Sequence, residues 1–304
     1  MPLNVDQILD RRRLKRKLTF WRLFTIAVAV VAVAVVSGRS GGGLVGENHV
    51  ARLNVSGLIL EDYERDEALK KVAEDNTAKA LVVYINSPGG TVVGGEALYH
   101  KLKDVGEKKP VITLMGGVAA SAGYMTALAA EYIFAREGTV TGSIGVLMQT
   151  ADMTELLAKI GVKPESVKSH PLKAQPNPLE PFTPEAREAT KDVVMDLFNM
   201  FVDLVAERRK MDRAEAMKLS DGRIFTGRQA LENGLVDAIG GEPEARKWLA
   251  EAHKIPESIP MKNVEIKRKS LFWSDILDLT VGKTLFSERL TLDGLISLWQ
   301  PDVR

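Results

Sequence analysis

Two glycine-rich turns constrain this chain more than any other feature. They are Asn86-Ser87-Pro88-Gly89-Gly90 and Gly116-Gly117-Val118-Ala119-Ala120-Ser121-Ala122-Gly123-Tyr124, about thirty residues apart. Each closes a β-rich run and opens a helical pattern, so together they mark successive strand-to-helix corners. The β-rich runs are 49–60, 78–85 and 110–114, with helical patterns at 95–105 and 122–131. Strands alternating with helices at this spacing predict βαβ units around a mostly parallel sheet, an α/β fold. Open α/β sheets place ligands at strand ends, where both turns fall.

Further along, 132–135 reads as a strand, 152–160 as a helix and 164–169 as extended chain. Prolines at 171, 176, 178, 181 and 184 make the next stretch a long loop, since none of them can donate a backbone hydrogen bond. Thr183 as N-cap with Pro184 at the first helical position then opens a helix to about Arg209. Val193, Val194, Leu197, Phe198, Phe201, Leu204 and Val205 recur along it at helical spacing and predict a buried stripe, facing either the core or another subunit.

Composition excludes several function classes. A net charge of +1 over 304 residues, with no basic run interleaved with aromatics, gives nucleic acid no surface to bind. The absence of cysteine removes disulfides, thiolate zinc sites and a cysteine nucleophile. The four histidines form no metal-ligand spacing, and the Gly89-Gly90 turn lacks the lysine of a phosphate loop, so no metal, nucleotide or other cofactor is expected.

The N-terminus carries the compartment signal. A basic cluster at 11–17 precedes an apolar run over 18–36 in which Arg22 is the only charge. The basic flank is expected to stay cytoplasmic, with the remainder crossing the cytoplasmic membrane once. The uninterrupted apolar stretch, 23–36, fits a signal-peptide core as well as a span. An uncleaved anchor is the preferred reading, because Val36-Ser37-Gly38 is a poor cleavage site. The expected organisation is a cytoplasmic flank at 1–17, an anchor at 18–37, a glycine-rich tether at 38–48, a catalytic domain at 49–262 outside the cytoplasm, and a tail at 263–304. The leucine-rich tail has mixed periodicity, and core packing, a subunit contact and a membrane surface all remain open for it.

With Thr141-Gly142-Ser143-Ile144-Gly145-Val146 and Asp221-Gly222-Arg223-Ile224-Phe225-Thr226-Gly227, the two turns resemble the signal peptide peptidase A (protease IV) family in order and spacing. The resemblance implies a ClpP/crotonase-like fold and a serine peptidase with a lysine general base. It also implies peptide substrates, chiefly cleaved signal peptides. One copy of each motif suggests the short form, in which identical chains assemble into a ring.

The residues can be weighed individually. Ser121 in a turn of small residues could simply cap the next helix, but the motif assigns it as nucleophile, at a helix N-terminus where the dipole favours negative charge. Carried over in the same way, the N–H groups of Gly90 and Ala122 are the oxyanion-hole donors. No histidine stands in the window after Ser121 where a ClpP-type base would fall. Lys173, in Leu172-Lys173-Ala174, stands where the family's base lysine is expected, and His170 is the alternative. A lysine base must be largely neutral, so its pKa must fall from about 10.4 to about 7, which desolvation can achieve. Ser143 is the candidate for orienting Lys173, or is an ordinary turn serine. Asp221 and Arg223 are expected to fix a turn or a subunit contact by ion pairing.

Two other classes stay open on sequence alone: a crotonase-type acyl-CoA enzyme, and a catalytically silent membrane scaffold.

Overall fold

The computed structural model describes residues 20–29 and 47–267, and the backbone of 295–298. The chain divides into two units, Met1–Glu47 and Asn48–Arg304. In the first, helix α1 covers 20–29, is exposed throughout, and groups the rings of Phe20, Trp21 and Phe24. Among the described residues no helix is long and apolar enough to cross a membrane. Apart from 20–29, the anchor expected over 18–37 lies outside the described residues, as do the flank at 1–17 and most of the tether.

The second unit begins with β1 (His49–Ile59), α2 (Tyr63–Glu74), β2 (Ala78–Thr91), α3 (Val92–Gly106), β3 (Val111–Ala120) and α4 (Ala122–Ala127). Short strands β4 (Tyr132–Ala135), β5 (Val140–Gly142) and β6 (Leu147–Met148) follow. Then come α5 (Thr154–Lys159), α6 (Pro184–Arg209), α7 (Arg213–Leu219), β7 (Ile224–Thr226) and α8 (Gly227–Glu232). The last elements are β8 (Ala238–Ile239), α9 (Glu242–His253), β9 (Met261–Asn263) and β10 (Leu295–Leu298).

Among the described residues all ten strands join one mixed sheet, so the fold is α/β. Its parallel part runs β9-β1-β2-β3-β4-β8. Central β2 carries Leu81, Val82, Val83 and Ile85 in one continuous apolar run, all fully buried, because both faces of a parallel sheet are covered. Leu98 and Leu102 of α3, Met125 of α4 and Phe201 of α6 pack into the core cluster on one side, while Ala245 and Leu249 of α9 belong to a second cluster. Burying a side chain such as Phe201 contributes about 1.5–3 kcal/mol each.

Towards its C-terminal ends the sheet splits. β3 pairs with β4 through 112–114, then with β5 through 118–120, while β7 lies antiparallel on β5. β2 leaves β3 in the same way, and its last residues instead pair with β10. The two glycine turns sit at this opening.

Local chemistry sets the helix ends. Asp62 caps α2 by accepting from Arg65 N–H, Thr91 caps α3 through Gly94 N–H, and Thr183 caps α6 through Ala186 N–H, with Pro184 at the first turn. One expectation needs correction. The helix after Ser121 ends at Ala127 rather than continuing to 131, and Arg208 closes it by donating to Leu128 and Ala130 carbonyls. The stretch 164–169 belongs to no helix or strand. The α6 stripe is buried only towards its C-terminal end, at Phe201, Val202 and Val205, whereas Val193 is 47% exposed.

Candidate active site

Ser121 joins β3 to α4 in a conformation that few side-chain-bearing residues adopt, φ 55° and ψ −120°. Holding a non-glycine residue there costs about 1–3 kcal/mol, which neighbouring contacts must offset. Three are visible. Its N–H donates to the Gly142 carbonyl at 2.8 Å, its own carbonyl accepts from Met125 N–H at 2.9 Å, and the residue is 1% exposed. Although Ser121 occupies the N-cap position of α4, its side chain does not cap the helix, so the structural role a turn serine ordinarily plays is not filled here.

The turn ending β2 meets this corner. Ser87 lies opposite Ala119 in the β2–β3 register, and a side chain added at Gly123 would come within 3.1 Å of the Ser87 carbonyl. The Ser87 hydroxyl, fully buried, donates to the Gly57 carbonyl at 2.6 Å and accepts from Gly89 N–H at 3.1 Å. These bonds fix the Gly89-Gly90 peptide. Gly90 must be glycine, since a Cβ there would lie 1.9 Å from the Ile59 carbonyl oxygen. Asn86 links the same strands by accepting from Val118 N–H at 3.1 Å.

A third turn completes the cluster. β5 runs beside β3 with Gly142 opposite Ala120, so Ser143 emerges next to Ser121's corner. Gly142 has φ +80° and Ser143 φ 49°, and Ser143 N–H donates to the Arg223 carbonyl at 2.8 Å. Arg223 is ion-paired with Asp221 across their own two-residue turn, which holds Asp221's carboxyl below the usual carboxylate range. The Asp-Gly-Arg motif therefore fixes a turn, and that turn supports Ser143.

Behind α4, the Tyr124 hydroxyl donates to the Leu235 carbonyl at 2.9 Å, and complete burial pushes its pKa far up. Arg209 holds the Asp237 carboxylate with two bonds of 3.0 and 2.7 Å, and Asp237 also accepts from Ile133 N–H. Burial opposes the Arg209 charge, but Asp237 outweighs it and the guanidinium pKa is raised. The serine helix is thus bolted to the end of α6. Among the described residues no group of three or more His, Cys, Asp or Glu side chains could hold a metal ion.

The structure therefore brings the Ser143 turn beside the Ser121-Ala122 corner, and it sets the Ser87 turn that leads into Gly90 against Ala119 and Gly123. Lys173 stands apart. It lies exposed on the proline-rich loop, in a turn where its N–H donates to the His170 carbonyl at 3.0 Å. Among the described residues no hydrogen bond joins Lys173 to Ser121 or Ser143. The loop has its own centre at Glu180, a residue the sequence did not single out. Its carboxylate accepts from Lys168 and Ser166, from Gln175 at 2.7 Å and from Asn177 at 3.4 Å. The Lys168 bond first, then Ser166, depresses the Glu180 pKa to about 2. The arm from α5 through this loop leaves Leu156, Ile160, Val162 and Val167 exposed, Ile160 at 65%.

Comparison with known proteins matches residues 103–256 to a model described as Peptidase family S49. A Synechocystis protein assigned as a protease is 38% identical over 71% of this chain and 79% of its own length. An Enterococcus faecium protein assigned as signal peptide peptidase SppA is 33% identical over 83% and 76%, respectively. The chloroplastic serine protease SPPA of Arabidopsis thaliana is 33% identical over 80% of this chain and 36% of its own. Among solved structures, a ClpP1 point mutant from Listeria monocytogenes matches with TM-score 0.41 and 20% identity, over 62% of this chain and 91% of that one.

Proposed function

The chain belongs to peptidase family S49 and is a serine peptidase, and from that premise we propose that it is a membrane-tethered endopeptidase acting through Ser121 and Lys173. Ser121 Oγ attacks the scissile carbonyl while Lys173 takes its proton, and the oxyanion is held by the N–H groups of Gly90 and Ala122. Lys173 then protonates the leaving amine. Water attacks the acyl-enzyme ester as Lys173 accepts its proton, releasing the acid and restoring both side chains. Ser143 orients Lys173. The observation that carries this reading is Ser121's strained, buried corner, whose hydroxyl does not cap the helix it precedes.

We read the fold as ClpP/crotonase-like and the assembly as a ring in which Lys173 serves the Ser121 of an adjacent chain. α6 supports that arrangement. Its C-terminal Arg208 grips the end of the serine helix, while its N-terminus, about 36 Å away along the axis, leads back into the lysine loop. Exposed apolar residues on the arm suit a neighbouring subunit, and cover from that subunit would desolvate Lys173. With the basic flank in the cytoplasm and 18–37 as anchor, the domain acts outside the cytoplasmic membrane on cleaved signal peptides and other apolar peptides. Such peptides add as an extended strand beside Gly89 and Gly90.

Labelling with a serine-reactive phosphonate tests the centre of this reading. Wild type should be labelled at Ser121 and Ser121→Ala should not. Absence of labelling in active, assembled wild type would count against the nucleophile. Retention in carbonate-washed membranes with an intact N-terminus tests the anchor, whereas a mature terminus near Arg39 would show a cleaved leader.

A further inference from the structure

Strand β3 carries two residues more than β2 can pair. Ile85 stands opposite Met115 and Ser87 opposite Ala119, so Asn86 alone faces Gly116, Gly117 and Val118. An insertion of this kind disrupts the ladder locally and bends the strand that holds it. Here β3 turns from β2 towards β5, immediately before it delivers Ser121 to its corner.

Side chains take over where the ladder is disrupted. The Val118 N–H donates to Asn86 Oδ1 at 3.1 Å, a carboxamide standing in for a strand carbonyl. The Gly116 carbonyl accepts from the Thr139 hydroxyl at 2.7 Å, and that hydroxyl accepts in turn from Arg136 N–H at 2.9 Å. The Ala119 carbonyl accepts from the Thr141 hydroxyl at 2.6 Å. Thr139 and Thr141 are both buried, so removing either hydroxyl would leave a backbone carbonyl unpaired away from water. Gly116 packs too closely for a side chain, since a Cβ there would lie 2.7 Å from the Tyr84 hydroxyl and 3.1 Å from Asn86 Cβ.

We propose that Asn86 and Thr139 are positioning residues for the reaction at Ser121. They hold the inserted residues of β3 in one conformation, and that conformation sets the direction from which Ser121 Oγ meets a carbonyl held at Gly90 and Ala122. They act through the strand, without touching the reacting atoms. This rests on the peptidase reading above. A nucleophile displaced by about 1 Å can lose about 100-fold in rate while the substrate binds as before.

The test uses the full-length, assembled protein. Thr139→Val and Asn86→Leu keep the approximate shape of each side chain and remove its hydrogen-bonding group. Each should lower kcat about 10- to 100-fold on a fluorogenic apolar peptide, with KM within about threefold of wild type. Turnover is counted per serine titrated by the phosphonate, so a fraction of unfolded chain cannot imitate the effect. Thr139→Ser keeps the hydroxyl and Asn86→Asp the acceptor oxygen, and both should stay within about fivefold of wild type. Wild-type kcat in Asn86→Leu would overturn the proposal, and because Asn86 is exposed this variant decides the matter even if Thr139→Val fails to fold. Equal losses in Thr139→Val and Thr139→Ser would also overturn it, since packing rather than the hydrogen bond would then be responsible. Hydrogen exchange separates this reading from the one it rests on. Faster exchange across 116–120 in Asn86→Leu supports the bond to β3 even if Ser121→Ala proves active, a result that would fault the nucleophile alone. Full kcat in Asn86→Leu beside an inactive Ser121→Ala faults the positioning alone.

Discussion

The N–H of Ser121 and the carbonyl of Gly142 are 2.8 Å apart, and this one hydrogen bond ties two left-handed corners together. Gly142 sits at φ +80°, and a Cβ there would come 2.6 Å from the Phe225 ring. Gly142→Ala should therefore displace Ser121 and Ser143 together. We expect kcat to fall at least 100-fold, comparable with losing an oxyanion donor, while the circular dichroism of the chain is preserved. Activity within threefold of wild type would show that the corner tolerates the change.

Lys173→Ala should be almost as inactive as Ser121→Ala, whereas His170→Ala should keep at least a third of wild-type kcat/KM. The reverse pattern would replace the lysine with a histidine base. In wild type, log kcat/KM should climb with pH through an apparent pKa well below about 10.4.

Mixing Ser121→Ala with Lys173→Ala under subunit exchange should restore part of the activity, since some interfaces then pair an intact serine with an intact lysine. Verified mixed oligomers that stay inactive would place both members of the dyad in one chain.

Glu180→Gln should loosen the lysine loop, lowering kcat severalfold with little change in melting temperature because the hub's hydrogen bonds are all confined to the loop itself. The sign of its pH dependence follows from its pKa, depressed from 4.5 to about 2 by the Lys168 and Ser166 bonds. The ordering it supplies is fully present above about 4.5 and is lost only as pH falls towards 2. Nicking of the loop by pepsin should therefore be slow at pH 4 in wild type and fast in Glu180→Gln. Equal rates at pH 4 would remove Glu180 from the loop's support.

Asp237→Asn should leave Arg209 without its ionic partner behind the serine helix. The pair is only partly buried, so the expected loss is about 2 kcal/mol in urea unfolding rather than the 3–5 kcal/mol of a fully enclosed pair. A loss below about 0.5 kcal/mol would mean that the network does not stabilise α4.

Much of the fold could be read because its signals are local. Strand β4, the capped start of α6 and both glycine corners follow from side-chain period, Thr183-Pro184 and the conformational demands of glycine. Helix α2 went unread. Its sequence is mostly charged, and few of its residues, Ala68 and Leu69 among them, reach the core. The motifs mark Gly90, Ser121 and Ser143 as site candidates, but the positive-φ backbone at Ser121 and the support from Ser87 depend on contacts distant in sequence, and the bonds to Glu180, although local, lie in a loop with no periodic signal. Period alone also cannot tell a stripe facing the core from one awaiting cover: Phe201 lies in the core, while Val193 is exposed in the single chain. Strand β10 was hidden for a related reason, because its partners lie roughly 150 to 200 residues away.

Helix α6 sets a phase as well as a distance. Each residue advances the helix by about 100° and 1.5 Å, so deleting one from its exposed middle would swing the lysine loop to another side of the axis while Arg208 and Arg209 kept their grip. Removing seven residues would nearly restore the direction and shorten the reach by about 10 Å. The length of this helix is therefore an angular setting, and single-residue insertions or deletions within it should disable the enzyme more completely than most substitutions on its surface.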